Sequence, residues 1–275
     1  MTPDTLKQFL QRNHLNPQKL LGQNFLLNEI ALQDMADSVP VKANEAILEI
    51  GPGIGNLTQR LIEKGPFVLS VEKDRQFVPL LGKLKRAHKN FQYVLADILG
   101  FNFSEVFDHY PAYHVVANIP YYITGKIIQV LIAAPKRPKT ITLLVQKEVA
   151  RNIAAKPGSL NLLAISVQLY GDAKILFQVP ARDFYPMPKV DSTAVQISLH
   201  QKPKYPITDE KAFFRLLRAC FSGKRKQIHN TLVNNFGLKK EAALEALSAC
   251  GVDSKARPQE LSVEQWVELY GHLQP

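Results

Sequence analysis

Ala46-Ile47-Leu48-Glu49-Ile50-Gly51-Pro52-Gly53-Ile54-Gly55 is an apolar run closed by three glycines in alternate positions. The run has strand length, and the glycines ask for a tight turn. Residues 56–64 follow with Leu57, Leu61 and Ile62 at helical spacing. Strand, glycine turn and helix in that order open a parallel α/β unit. With no Cβ in the turn, backbone N–H groups can come close to a ligand. The spacing is Gly-x-Gly-x-Gly, not the Gly-x-Gly-x-x-Gly of dinucleotide folds, and such turns also occur in plain strand-to-helix connections.

Outward from this stretch the alternation continues. Residues 67–71 read as a strand ending at Glu72, and 73–88 as a helix that Pro79 breaks or kinks. Strands are expected at 91–95, ending at Asp97, and at 113–117, ending at Asn118. A helix at 127–133 and strands at 140–146, 173–178 and 194–200 complete the series. The expected fold is α/β and Rossmann-like, a mainly parallel sheet with helices on both faces. Ligands in such sheets bind beyond the carboxyl ends of the strands. Gly51, Glu72, Asp97 and Asn118 all fall at predicted strand ends and would line one crevice.

Lys202, Pro203, Lys204 and Pro206 mark a linker, which divides the chain into a sheet domain, 1–203, and a small helical domain, 204–275. Helices are expected there at 210–221, 226–236, 240–250 and 263–273. Ser262 and Gln265 form a capping-box pattern at the start of the last, and Gly251 suits the end of the one before.

Of 275 residues 46% are hydrophobic, enough for a packed core, and the net charge of +10 favours a polyanionic partner such as nucleic acid. No apolar run reaches membrane-spanning length, and the N-terminal stretch lacks a signal-peptide core, so a cytoplasmic protein with no membrane partner is expected. Cys220 and Cys250 sit in apolar helical patterns and read as buried thiols. The histidines show no metal spacing, so no metal is expected.

Glu72 stands about 20 residues past the glycine turn, where a carboxylate accepts from ribose hydroxyls. Standing alone, it would equally be a solvated acid. Asp97 suits an adenine amino group, or caps a turn. A nicotinamide dinucleotide is the alternative cofactor; the glycine spacing counts against it. Asn118-Ile119-Pro120-Tyr121 then carries the chemistry. An adenine amino group is a poor nucleophile, because its lone pair is delocalised into the ring. The Asn118 amide oxygen and the Ile119 carbonyl, held by Pro120, can accept from N6–H and localise that pair. Tyr121 offers a ring for the base to stack on. Phe184, in the rigid segment Phe184-Tyr185-Pro186-Met187-Pro188-Lys189-Val190-Asp191-Ser192, can close over the other face or pack into the core.

These motifs, with Leu21-Gly22-Gln23-Asn24-Phe25-Leu26, Val145-Gln146-Lys147-Glu148-Val149-Ala150 and Lys224-Arg225-Lys226, resemble the ribosomal RNA adenine dimethyltransferases of the KsgA, small-subunit type over nearly the whole chain. The resemblance implies a class I methyltransferase fold and the cofactor S-adenosylmethionine. It implies two methyl groups placed on N6 of each of two adjacent adenosines, in a hairpin loop near the 3′ end of 16S rRNA within the 30S particle. A role in small-subunit assembly and a monomeric state go with it. It implies cofactor contacts from Asn24, Leu26, Gly51, Glu72, Asp97 and Asn118, and handling of the base by Asn118, Tyr121 and Phe184. The chain departs from the family at Gln18-Lys19-Leu20-Leu21, which is less basic, and at Tyr122, where many relatives have Asn.

Residues 211–240 hold eight Lys or Arg and no Asp or Glu. Lys224, Arg225 and Lys226 are expected to start a helix, where cations oppose the dipole, which points to a phosphate partner over a merely solvated face. Two other functions share parts of this pattern: a 23S rRNA dimethylase of the antibiotic-resistance type, and a non-enzymatic assembly factor on the same fold.

Overall fold

The computed structural model describes residues 1–275 apart from 19–20, 120–122, 203, 224 and 274–275. The expected residues Pro120, Tyr121 and Lys224, and the departures at Lys19, Leu20 and Tyr122, therefore lie outside the described residues.

Two helices, α1 (Pro3–Arg12) and α2 (Glu29–Asp37), flank a two-residue strand, β1 (Phe25–Leu26). The alternating series is β2 (Ala46–Ile50), α3 (Asn56–Glu63), β3 (Phe67–Glu72), α4 (Val78–Ala87), β4 (Phe91–Leu95), β5 (Tyr113–Asn118), α5 (Thr124–Ala133) and β6 (Thr140–Gln146). Then come α6 (Lys147–Ile153), α7 (Leu162–Tyr170), β7 (Gly171–Val179), β8 (Phe184–Tyr185) and β9 (Ser192–Leu199). The chain ends in α8 (Glu210–Phe221), α9 (Ile228–Phe236), α10 (Lys240–Ala249) and α11 (Val263–His272).

Seven strands form one sheet in the order β4-β3-β2-β5-β6-β9-β7. β2, β3, β4, β5 and β6 run parallel, and β9 is antiparallel to β6. All five residues of β2 are buried, as expected of a strand covered on both faces. On one face Ile47, Val68, Val116 and Leu144 join Leu32, Met35, Leu57, Leu61 and Leu81 of the helices. Strand order reverses at β2, with β3 on one side and β5 on the other, which opens a crevice beyond their carboxyl ends.

Pro79 does not kink a helix. Residues 75–77 form a 3-10 turn, and α4 starts at Val78 with the proline in its first turn, where no N–H is missed. The β1–β8 pair, Phe25 opposite Tyr185 and Leu26 opposite Phe184, is an addition that two-residue strands could not announce by periodicity.

The chain divides into two compact units, Met1–Ala150 with Asp172–Gln201, and Arg151–Gly171 with Lys202–Pro275. The split expected at 203/204 lies close to the second junction, but Arg151–Gly171 belongs with the helical unit. There α7 packs on α8 and α11, and Gly158 and Leu160 donate to the Gln259 carbonyl. The helical unit buries Phe213, Leu217, Cys220, Leu232, Leu247 and Trp266. The Ser262–Gln265 capping box forms, and Gly251 takes φ +62. Both cysteines are free and buried, the Cys220 thiol pushed by burial to about 11. Lys226, expected as the first residue of a helix, lies before it instead: Arg225 and Lys226 occupy the turn ahead of α9, whose cap is Gln227.

At the amino ends of the strands His114 is fully buried, Nε2 at 3.0 Å from Glu45 and Nδ1 at 2.8 Å from the Thr140 hydroxyl. Burial holds His114 below the usual imidazole range, although Glu45 opposes it. A neutral ring with Nε2–H donating to Glu45 and Nδ1 accepting from Thr140 satisfies all three groups. Because the folded state resists protonation here, stability is full above the unfolded histidine pKa of about 6.5 and is lost as pH falls below it. His114→Ala is expected to lower stability by about 2–4 kcal/mol through the cavity and unpaired partners. It should also flatten the loss between pH 7.5 and 5.5. Denaturant unfolding at both pH values checks this; equal slopes in variant and parent would remove the linkage.

Candidate active site

Beyond the carboxyl ends of β2–β5 lies a cavity of about 330 Å3, within the range of small-ligand sites. Gly51, Glu72, Asp97 and Asn118 all line it, as do Asn24, Leu26 and Ile119.

The glycine turn is built as the sequence demands. Gly53 takes φ +55 and Gly55, the N-cap of α3, φ +86, a region closed to most side chains. A Cβ at Gly53 would stand 3.2 Å from the Phe25 ring, and one at Gly55 3.0 Å from Leu84. The turn is tied down by Glu72. One carboxylate oxygen accepts from Gly53 N–H at 3.0 Å, the other from Asp74 N–H at 2.7 Å. Glu72 is 6% exposed, and burial raises its pKa against the pull of these N–H groups.

Asp97 is more open. Lys73 Nζ donates to it at 2.8 Å and Leu99 N–H at 3.0 Å, and these hold its carboxyl below the usual range. Asn118, the last residue of β5, donates through Nδ2 to the Asn24 carbonyl at 3.2 Å. A carbonyl can only accept, so this contact decides which end of the amide is Nδ2 and sets the direction of Oδ1.

Phe184 is not part of this lining. Its side chain is 2% exposed and belongs to the hydrophobic core, with its backbone paired to Leu26. In this structure β8 turns the aromatic inward, beside β1, the packing position of the two that its sequence allows.

Three groups were missed as site residues. Gln23 Nε2 donates to Asp74 at 2.7 Å, and Asn16 N–H donates to Gln76 at 2.9 Å, so the N-terminal segment is fastened beside Glu72. Only Asp74, two residues past the strand-end acid, offered a sequence signal. The third, Glu49, is 1% exposed and lines the cavity. It accepts from Thr58 at 2.7 Å and Ser70 at 2.6 Å, and burial pushes it up to about 7. Among the described residues no group of three His, Cys, Asp or Glu is arranged to hold a metal. No helix among them is long and apolar enough to cross a membrane.

A family model described as ribosomal RNA adenine dimethylase matches residues 14–274. A Dehalococcoides mccartyi (strain CBDB1) protein named ribosomal RNA small subunit methyltransferase A is 35% identical over 263 residues, 96% of this chain and 90% of its own. A protein of that name from Shouchella clausii is 38% identical over 276 residues, 98% of this chain and 93% of its own. Among solved structures, the 23S rRNA methyltransferase ErmE has a TM-score of 0.73 at 26% identity, over 90% of this chain and 99% of ErmE. A dimethyladenosine transferase from Plasmodium falciparum gives 0.75 at 26% identity, over 89% of this chain and 95% of its own.

The Glu49 environment has a pH signature opposite to that of His114. An acid whose folded pKa is raised from 4.5 to about 7 loses stability as pH climbs through that window. Glu49→Gln keeps an acceptor for Thr58 and Ser70 without the charge. The variant is expected to gain stability relative to the parent at pH 8 but not at pH 4.5. Melting curves at the two pH values test it, and an equal difference at both would refute the buried-charge account.

Proposed function

The chain belongs to the ribosomal RNA adenine dimethylase family, and on that premise we propose that it transfers methyl groups from S-adenosylmethionine to 16S rRNA. The targets are N6 of two adjacent adenosines in the 3′-terminal hairpin loop, and the chain acts as a monomer on the 30S particle. The observation that carries this reading is the convergence of Glu72, Asp97 and Asn118 with the glycine turn in one cavity. The names of relatives 35% and 38% identical favour the small-subunit RNA over the 23S alternative.

S-adenosylmethionine supplies a methyl already activated by its sulfonium, so the chain contributes position and electrostatics. Glu72 keeps lone pairs for ribose hydroxyls after accepting from Gly53 and Asp74. Asp97, its carboxyl held low beside Lys73, would accept from the cofactor's adenine amino group. Asn24, through its carbonyl, holds the Asn118 amide, and Leu26 and Gly51 shape the wall and floor. Asn118 Oδ1 and the Ile119 carbonyl accept from the target N6–H and aim its lone pair at the methyl. Once aligned, the amine would take the methyl as its bond to sulfur breaks with the electron pair left on sulfur, and the charged N6 would then lose a proton to water. Pro120 and Tyr121 enter this account from sequence alone, as a turn and a stacking ring. Arg225 and Lys226, with Lys224 adjoining in sequence, would contact phosphates from the turn before α9.

The direct test is transfer of labelled methyl to undermethylated 30S subunits, followed by nucleoside analysis. N6,N6-dimethyladenosine in 16S rRNA is expected; label entering only 50S components would overturn the substrate. Asn118→Ala is expected to reduce turnover about 10²–10³-fold with 30S affinity unchanged. Unaltered turnover would reject the amine-positioning role.

A further inference from the structure

Lys83, Lys85 and Arg86 lie on α4 and Lys89 just past it, with Arg75 ahead of it, and all five are exposed. Between residues 75 and 96 the chain carries these five cations and no Asp or Glu. None of them meets a carboxylate among the described residues, whereas Arg60, Lys64, Lys73 and Lys139 each do. The helix dipole accounts for Lys85 and Arg86, in the last turn of α4. It asks for nothing at 75, 83 or 89, and it gives no reason to omit the i,i+4 carboxylates that usually accompany surface lysines.

The geometry goes beyond charge. Lys83 and Arg86, three residues apart, share a solvent-facing side of α4, while Leu81 is buried. A Cβ built on Gly82 would stand 3.6 Å from Arg86 Nη1 and 3.6 Å from the Tyr93 hydroxyl. The guanidinium and the phenol of β4 thus both stand within contact distance of one point above Gly82. β4 is the edge strand of the sheet, and Tyr93, half-buried against the core, reaches out beside α4 with its hydroxyl. Hydrogen-bond donors gathered with cations, and no competing carboxylate, suit phosphate oxygens.

We propose that the outer face of α4 and β4 is a second RNA-backbone contact, with Arg86 and Tyr93 on one phosphate and Lys83, Lys85 and Lys89 on its neighbours. This rests on the rRNA substrate proposed above, and it uses none of the cavity residues.

The test is a triple variant, Lys83→Ala, Arg86→Ala and Lys89→Ala, all at exposed positions. Affinity is measured for 30S subunits and for protein-free 16S rRNA from 50 to 200 mM salt, with calorimetric binding of S-adenosylmethionine as the fold control. The expected result is unchanged cofactor affinity, about tenfold weaker rRNA binding at low salt, and a log–log salt slope shallower by about 2. Tyr93→Phe, which removes only the hydroxyl, should weaken binding about threefold with the slope unchanged. A control triple, Lys174→Ala, Lys202→Ala and Lys255→Ala, removes equal charge from other exposed positions and should leave the slope as it was. An unchanged slope in the first triple, or the same loss in the control, overturns the proposal. Loss on 30S subunits but not on free 16S rRNA would assign the face to a ribosomal protein and overturn the phosphate assignment. A parent chain that binds neither would remove the rRNA substrate, and this contact with it.

Discussion

The carboxylate of Glu72 is the joint on which the site hangs. It is nearly buried, and burial raises its pKa against the pull of backbone N–H groups, those of Gly53 and Asp74 among them. One belongs to the glycine turn after β2, the other to the start of the next connection. The acid therefore fixes the spacing between neighbouring strand ends while keeping lone pairs toward the cavity. Glycines are required on the far side of the bond, since a bulkier turn would not bring Gly53 N–H within 3.0 Å.

Much of this was legible because strand ends carry their own punctuation. Glycine, glutamate, aspartate and asparagine each follow an apolar run, and a parallel sheet lines such ends up regardless of what the helices do. The register bears this out: Ile50 lies beside Val71 and Ala117, so the residues that follow emerge at one level. Asn118 was identifiable in the same way, by its place after a buried run.

What stayed hidden depends on contacts between distant parts of the chain. Residues 160–170 are apolar nearly throughout, a pattern shared by a core strand and a buried helix, and only packing against α8 and α11 assigns them to the helical unit. Phe184 carried two readings that spacing could not separate; in the structure its strand pairs with Leu26 and its ring lies in the core. The helix expected from Lys226 starts two residues later, at Ile228, because the backbone turns at Gly223, where Lys226 N–H bonds its carbonyl at 2.8 Å. Gln23 and Asp74 lie 51 residues apart in sequence, and no local pattern joins them.

The pairing of β1 with β8 has a consequence for how the molecule is made. Phe25 and Leu26 form part of the cavity wall, yet their partner strand is Phe184–Tyr185, encoded far downstream. A chain emerging from the ribosome N-terminus first can assemble the β2–β6 core while this wall still lacks its brace. The same holds for β9, which must slot in beside β6 after α6, α7, β7 and β8 have been made. The enclosure of the cavity thus arrives late in synthesis, after the strand ends that β8 and β1 close over.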